Sequence, residues 1–537
     1  MGEAIIIAAP RLHRPARHRA QHGLRFALGL PLPALLFTLW WLAARYAWMP
    51  PQILPAPSLV WHSAQELVAN GRLAAAVAIS LERLLWGLAI GVALGLVFGI
   101  VGGASRRADD VITPSLLAFA QIPTLAWLPL LMLMLGLGEA LKLFLIAKAV
   151  VIPVAVHTRT GVRDVPLQLR EIAAALRLPR TVIFTRLLLP SALPAIVTGI
   201  RLSLGAAWMT LVAVELLASS EGIGRLMVWG RQLFQLDIVF VCIVVIGVLG
   251  LGIDLVARGL DAWLTRWPRP ALGAGLAASP CGWRARLTVR ARNVALPVGV
   301  LGLWQYAVAS GAINGAVLPS PLMVAHAALA ALADGTLSGA LGASLLRSFG
   351  GLVLGGVPGV ALGLMLGLSR RAEQWIAPGF DAFRQIAIFA WVPLLTAWFG
   401  IDNLGKLVFI SLAAFLPLAF ATWRGVAHRS IQLDEVARAA RLSFAQRLRL
   451  LVLPGAAPSI FAGLRLALVY TWLAAIGVEY FMNAGLGIGS YLLAAQQTFA
   501  MPLVLGGMVL VGVLGAALGR LGNALETFAT RWRQPEA

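Results

Sequence analysis

"LREIAAALRLPRTVIFTRLLLPSALPAIVTGIRLSLGAAWMTLVAVE" (residues 169–215) returns as "LDEVARAARLSFAQRLRLLVLPGAAPSIFAGLRLALVYTWLAAIGVE" (residues 433–479). The offset is 264 at every matched position: Glu171 and Glu435, Pro190 and Pro454, Pro194 and Pro458, Gly199 and Gly463, Arg201 and Arg465, Trp208 and Trp472, Glu215 and Glu479. Far upstream it still relates Pro55 to Pro319, Arg83 to Arg347 and Gln121 to Gln385. Self-similarity at one fixed spacing means two copies of one structural unit. The chain therefore supplies both halves of something that works as a pair.

Composition sets the class. Of the 537 residues 60% are hydrophobic and only 12% charged, with a mean hydropathy of +0.85. Such a chain has too little polar surface to coat a soluble globule, and apolar runs near twenty residues recur along it. In lipid the backbone must satisfy itself, which makes helices the default. The expected fold class is an all-α polytopic membrane protein. Two cysteines, Cys242 in an apolar run and Cys281 in a linker, leave no room for a disulfide framework.

Six spans are expected in each copy, about twelve in all. In the first they fall near 26–48, 80–103, 115–135, 140–157, 194–218 and 238–257. In the second they fall near 293–310, 344–368, 379–399, 404–422, 458–481 and 502–524. The net charge of +21 does not mark a nucleic-acid protein, because the basic residues punctuate the gaps between apolar runs. Arginine fills the loops at 106–107, 159–186, 258–292, 370–371 and 424–449, whereas 49–79 holds only Arg72 and 311–343 holds no lysine or arginine. By the positive-inside rule both copies point the same way, with the arginine-rich loops and both termini in the cytoplasm.

The expected domains are a basic cytoplasmic tail (1–25), a first unit (26–265), a linker rich in Pro, Gly, Ala and Arg (266–292) and a second unit (293–537). The tail carries Arg11, Arg14, Arg17, Arg19 and Arg25; with no cleavable leader evident, it reads as a cytoplasmic tail ahead of the first span. Its His13, His18 and His22 read as polar coat, and no metal site is expected. Each outer loop opens with Pro-x-Pro and closes on a turn at Gly71 or Gly335, as a short surface helix or a packed loop would.

The loop between the fourth and fifth spans (160–194 and 424–458) is long for a compact membrane domain. Leu169, Ile172 and Leu176, repeated as Leu433, Val436 and Ala440, mark one helical face with an acidic residue beside it. A second short apolar-basic helix follows, and Pro190 with Pro194 is expected to break the chain before the fifth span. Such a hairpin either docks a partner or packs under its own bundle; the repetition of Glu and Pro favours docking.

From Glu171 to Pro190 and from Glu435 to Pro454 these loops resemble the EAA loop of ABC importer permeases. The wider pattern is similar to the nitrate, taurine and aliphatic-sulfonate branch. It includes "LPSP" (318–321), Ser80, Arg83 and Gly87 with Ser344, Arg347 and Gly351, "QIPTLAWLPL" (121–130) and "AGLGIG" (484–489). The resemblance covers nearly the whole chain twice. It implies two tandem six-helix permease domains with cytoplasmic coupling helices, in which Glu171, Ala173, Leu176, Arg177 and Pro190, then Glu435, Ala437, Arg441 and Pro454, engage the ATPase. It further implies alternating access, two copies of a separate ATPase subunit that uses ATP and Mg, a periplasmic substrate-binding protein, membrane lipid around the chain, the bacterial inner membrane, and a small anion such as an aliphatic sulfonate, taurine or nitrate as cargo. Taurine or an aliphatic sulfonate is the favoured cargo, though the branch also contains permeases for vitamin precursors. No cofactor, catalysis or nucleic acid is expected of the chain itself. One departure stands out: the family places Gly six residues after the Glu, where this chain has Arg177 and Arg441, which predicts a less sharp turn or an extra polar contact with the ATPase.

Other candidates weigh less. "GIDNLGKL" (400–407) echoes a phosphate-binding loop but has Leu407 where a hydroxyl is needed and no strand before it. Arg83 with Glu215, and Arg347 with Glu479, lie near the outer ends of spans two and five; they read as interhelical ion pairs or as an outer gate that attracts an anion. Arg201 and Arg465 fall at the cytoplasmic ends, where snorkelling suffices. Trp40, Trp41, Trp48 and Trp304 fit interfacial belts. Gly91, Gly95 and Gly99, with Gly355, Gly359 and Gly363, form small-residue stripes for close helix contact within or across copies. The alternative class is a secondary transporter with two six-helix halves. Against it, the loop "GGASRRADD" (102–110) lacks the major facilitator signature and the long hairpin has no counterpart there. A membrane scaffold explains neither the hairpin nor the repeat.

Overall fold

In the computed structural model, residues 31–165, 167–265, 283–315, 318–428, 435, 437 and 439–531 are described. The first copy runs α1 (Pro31–Arg45), α2 (Pro57–Ala69), α3 (Arg72–Ala104), α4 (Arg106–Gln121), α5 (Leu128–Leu135) and α6 (Glu139–Arg163). It continues with α7 (Leu167–Ala175), α8 (Leu189–Ala218), α9 (Ile223–Gln232) and α10 (Leu236–Leu264). The second copy repeats this with α11 (Trp283–Ala309), α12 (Pro321–Ala333), α13 (Thr336–Leu368), α14 (Arg370–Gln385) and α15 (Val392–Phe399). Then follow α16 (Asn403–Ala427), α17 (Leu453–Phe481), α18 (Ile488–Gln497) and α19 (Met501–Ala529). No strand occurs among the described residues. The tail with His13, His18 and His22, linker residues 266–282 with Cys281, and Leu433 and Val436 lie outside them. Residues 283–292, expected as linker, form the start of α11.

The protein is an all-α polytopic membrane protein. Among the described residues eight helices are long and apolar enough to cross a membrane, or ten if each bent pair counts as one span. The remaining two of the twelve expected spans correspond to α1 and to the shorter apolar stretch Val294–Ala309 of α11. The third span of each copy, expected to be continuous, is broken: α4 and the Thr124–Leu135 segment meet at 83°, and α14 and Ile388–Phe399 at 90°. Ile122 and Ile386 are extended at the corners. Pro123 accounts for one corner, since proline pushes its predecessor out of helix. The second copy has Ala387 there, so the corner does not need proline.

What holds the corners is the other copy. A Cβ placed on Gly250 of α10 would stand 2.6 Å from the carbonyl oxygen of Gln385, and one on Gly512 of α19 2.9 Å from Ile122 Cγ1. Ala387, Ala390 and Leu394 are buried in the first copy's core, while Ala126 and Leu130 are buried in the second copy's core. The first spans cross over as well, α11 lying along α4 and α1 along α14. The halves exchange parts in both directions, so neither copy has a complete core alone.

Within each copy the glycine stripes bring α3 against α6 and α13 against α16. Cβ atoms on Gly91, Gly95 and Gly99 would lie 2.5, 2.7 and 2.5 Å from the Cβ atoms of Val150, Val154 and Thr158. On α13 the fit is tighter, with a Cβ on Gly355 only 1.9 Å from the Ser411 carbonyl oxygen. The stripes therefore serve contact within a copy. Each outer loop is a helix, α2 or α12, opened by Pro57 or Pro321 and ended by Gly71 (φ +73°) or Gly335 (φ +83°).

Gly355→Ala meets a backbone atom that cannot rotate away and should destabilise the chain by roughly 1–3 kcal/mol. Gly102→Ala, whose nearest neighbour would be 3.7 Å away, should leave stability unchanged or slightly raised. Thermal unfolding of the two purified variants in nanodiscs separates these outcomes.

Candidate functional site

The hairpin of the first copy begins on α7. Ala173 points inward at 4% exposure, while Ile172 and Leu176 stand open at 55% and 65% and Glu171 is exposed beside them. A hairpin packed only under its own bundle would bury the apolar residues and expose the alanine. In the second copy Ala437 is likewise buried and Glu435 exposed. Phe444 is also exposed there, at 70%.

The turn after α7 is as sharp as a glycine turn. Arg177 has φ +49° and Arg441 φ +51°. Leu178 N–H donates to the Ala173 carbonyl and Arg177 N–H to the Ala174 carbonyl, at 3.1 and 3.0 Å, the double bond pattern of a helix ended by a left-handed residue. Leu442 N–H repeats the first bond to Ala437 at 3.1 Å. The expectation of a less sharp turn is therefore corrected: the hydrogen bonds and the buried alanine offset the roughly 1–2 kcal/mol cost of a left-handed non-glycine residue.

Nor do the prolines break the chain. After Arg180–Val182 the helix widens to π geometry over Ile183–Leu188 and passes straight into α8; Leu448–Val452 does the same before α17. Pro190 and Pro454 cannot donate, and their rings crowd the carbonyl four residues back; the wider turn absorbs the clash without ending the helix. The result is one stiff element from Ile183 to Ala218, and another from Phe444 to Phe481. The two short helices start differently: Pro179 precedes one, and the other has a Ser443–Gln446 capping box.

At the far end of each stiff helix sits a buried carboxylate. Glu215 (1% exposed) accepts from Arg83 Nη1 at 2.8 Å, Ser80 Oγ at 2.8 Å and Gly224 N–H at 3.1 Å, and Ser80 in turn accepts from Ile223 N–H at 3.0 Å. Glu479 is held identically by Arg347 (2.7 Å), Ser344 (2.7 Å) and Gly489 N–H (2.9 Å). Each carboxylate thus caps the N-terminus of a short helix, α9 or α18, where backbone donors and the helix dipole favour negative charge. The glycines of "AGLGIG" gain a reason: a Cβ on Gly222 would lie 2.4 Å from Glu215 Oε1, and one on Gly487 2.5 Å from Glu479 Cδ. Both arginines are thus committed to interhelical pairs.

The copies differ in one counter-ion. Glu139 grips Arg83 through Nε and Nη2, at 2.8 and 2.7 Å, and also takes Lys142 at 2.7 Å. Its counterpart is Asn403, which accepts from Arg347 Nε at 2.9 Å, and Lys406 donates to the carbonyl of Ala484. Sequence reading passed over Glu139 and Lys142 and met Asn403 and Lys406 only within the phosphate-loop echo at 400–407; comparing the copies hides the acid because its counterpart is neutral. It also passed over Lys148, whose Nζ lies 3.0 Å from the Ile122 carbonyl at the first corner and above the Phe119 ring.

With both hairpins and both buried glutamates in place, the chain can be set against known proteins. Residues 91–266 and again 359–532 match the model of the binding-protein-dependent transport system inner membrane component. The chain belongs to that family. The putative aliphatic sulfonates transport permease of Bacillus subtilis (strain 168) is 36% identical over 239 residues, 44% of this chain and 87% of its own length. The taurine transport system permease of Escherichia coli (strain K12) is 31% identical over 268 residues, 49% of this chain and 98% of its own. A bicarbonate transport system permease of Synechococcus elongatus (strain ATCC 33912 / PCC 7942 / FACHB-805) is 32% identical over 265 residues, 46% of this chain and 92% of its own. Each relative is thus the size of one copy, and this permease holds two. It is a multi-pass inner-membrane component of the nitrate, taurine and sulfonate branch of ABC importers.

The counter-ion difference makes a prediction for this permease. Removing one partner of a buried pair costs about 3–5 kcal/mol because the other charge is left behind. Glu215→Ala leaves Arg83 with Glu139, whereas Glu479→Ala leaves Arg347 with only Asn403. Glu479→Ala should therefore lower the unfolding midpoint more, and Glu139→Asn should remove the difference.

Proposed function

We propose that this single chain is the complete membrane core of an ATP-driven importer of a small anion, its two hairpins each seating one of two separate ATPase subunits. The observation that carries the reading is the exposed apolar and acidic face of the hairpin, with Ile172, Leu176 and Glu171 open while Ala173 anchors it. An apolar patch beside a carboxylate on the cytoplasmic side is a surface built for a partner.

The same helices give a mechanism. From Ile183 to Glu215 the first stiff element is about 48 Å long at 1.5 Å per residue. One end is the hairpin and the other is the buried clamp that ties spans two and five to the outer helix α9. Closure of the ATPase pair on ATP and Mg pulls the hairpins together, and each stiff helix carries that motion to the outer face. There the clamp moves as one body, and the path opens alternately to the two sides. The chain holds no ATPase, cofactor or catalytic group in this reading. A periplasmic binding protein presents the cargo on the arginine-poor side, and the termini lie in the cytoplasm. An aliphatic sulfonate, taurine or nitrate is the cargo proposed, in keeping with relatives named for sulfonates, taurine and bicarbonate.

Ile172→Asp with Leu176→Asp should weaken ATPase binding about tenfold or more, as the loss of a small apolar hot spot does. The Glu171→Ala, Glu435→Ala double variant should lower coupled ATP hydrolysis with the fold intact. Surface immobilisation of the nanodisc-bound chain and titration with its ATPase measures the first effect, and unaltered affinity in both variants would sink the docking role. Arg177→Gly keeps the turn, so a loss of ATPase affinity there would mark a direct contact by the guanidinium.

A further inference from the structure

The two copies meet along two crevices related by the repeat, and their charges differ. One lies between α14, α8 and α10. There Arg201 faces Asp261 at 3.5 Å and Asp254 at 4.0 Å, and Arg258 Nε reaches Asp254 at 2.8 Å. Arg384 pairs with Asp381 at 3.4 Å, and Gln385 of α14 reaches across to Asp254 at 3.4 Å. Three arginines meet three aspartates, so the charges of this crevice balance, and the Gln385–Asp254 hydrogen bond crosses from α14 to α10.

The other crevice lies between α4, α17 and α19 and encloses a cavity of about 600 Å³. The repeat places Leu117, Ala120, Leu518, Gly522 and Leu525 where the first crevice has Asp381, Arg384, Asp254, Arg258 and Asp261. Arg465 lines the cavity, held by Asn523 at 2.8 Å and Glu526 at 3.1 Å. Arg520 also lines it, is exposed, and has no ion-pair partner among the described residues. Two cations meet one acid. Lys148 sits on the carbonyl of Ile122, next to the lining residue Gln121, where the second copy has Leu412. Leu117 and Leu466 add an apolar wall, and Tyr470 and Asn523 add hydrogen-bonding groups.

We propose that the fused chain is functionally lopsided: the crevice of α4, α17 and α19 binds a small organic anion through Arg520 and Arg465, and its charge-balanced counterpart does not. This rests on the importer reading for its biological setting. The acid group pairs with Arg520 and a short apolar tail lies on the leucine wall. A duplicated subunit cannot make such a difference, because two identical copies would carry the same charges in both crevices; fusion lets the two diverge.

The test labels cysteines in the full chain in nanodiscs, in a Cys281→Ser background; Cys242 is fully buried and stays unreactive. Ala516→Cys lies in the cavity, and Gly252→Cys occupies the matching place in the charge-balanced crevice, where a Cβ meets no atom within 4 Å. The anionic sulfonatoethyl methanethiosulfonate should be favoured over its cationic trimethylammonium analogue at Ala516→Cys by about sevenfold relative to Gly252→Cys. That is the Boltzmann factor of one unit charge roughly 7 Å away in water, acting with opposite sign on the two reagents. Adding Arg520→Gln should abolish the preference; because Arg520 is exposed and holds no ion pair among the described residues, the variant should fold. Ethanesulfonate in the buffer should slow the labelling of Ala516→Cys, which a site for fixed lipid headgroups would not show. Equal ratios at the two cysteines, a preference that survives Arg520→Gln, or no protection by ethanesulfonate would each overturn the proposal. Labelling needs neither ATPase nor transport, so failure of the importer reading shows separately, as no ATP-driven uptake by the complete complex.

Discussion

Two carboxylates, Glu215 and Glu479, tie together the helices at the end of the molecule far from the hairpins. Each is removed from water, and each is made tolerable by an arginine and a serine from span two and by the backbone of a glycine loop. An isolated carboxylate in so apolar a place would be very costly, so the partners must close on it together. That requirement fixes the approach of span two to span five. It also explains why only glycine fits at Gly222 and Gly487, where the loop lies on the charge. The same glutamates lie near the far ends of helical elements that start in the hairpins, so hairpin and clamp share one continuous element.

The copies also exchange parts reciprocally. Each broken third span packs partly in its own bundle and partly in the core of the other, with glycines of the sixth spans admitting the exposed carbonyls. Backbone that is not helical is tolerated in a membrane only when buried in protein or facing water. The corners meet that condition by lying between the copies.

Much of this was legible in the residues, and the limits have physical causes. The repeat, the span positions, the hairpin and the pairing of Arg83 with Glu215 follow from spacing and hydropathy. The corners do not, because a residue such as Ala387 carries no breaking signal; the bend comes from contacts more than a hundred residues away. The left-handed Arg177 was misread because propensity favours glycine there, while hydrogen bonds to Ala173 and Ala174 override it. Pro190 looked like a stop, yet a helix can widen around it. Glu139 went unnoticed because its counterpart Asn403 is uncharged, and a comparison of copies rewards only what both keep. The unequal crevices were hidden for the same reason, since Asp254 and Arg520 each face an apolar residue in the other copy's register.

The central claim is that one chain carries both membrane halves and two seats for an ATPase. Native mass spectrometry of the chain co-purified with its ATPase in nanodiscs tests it most directly. The account predicts one permease chain with two ATPase subunits. A complex containing two permease chains, or a chain that retains no ATPase, would contradict it.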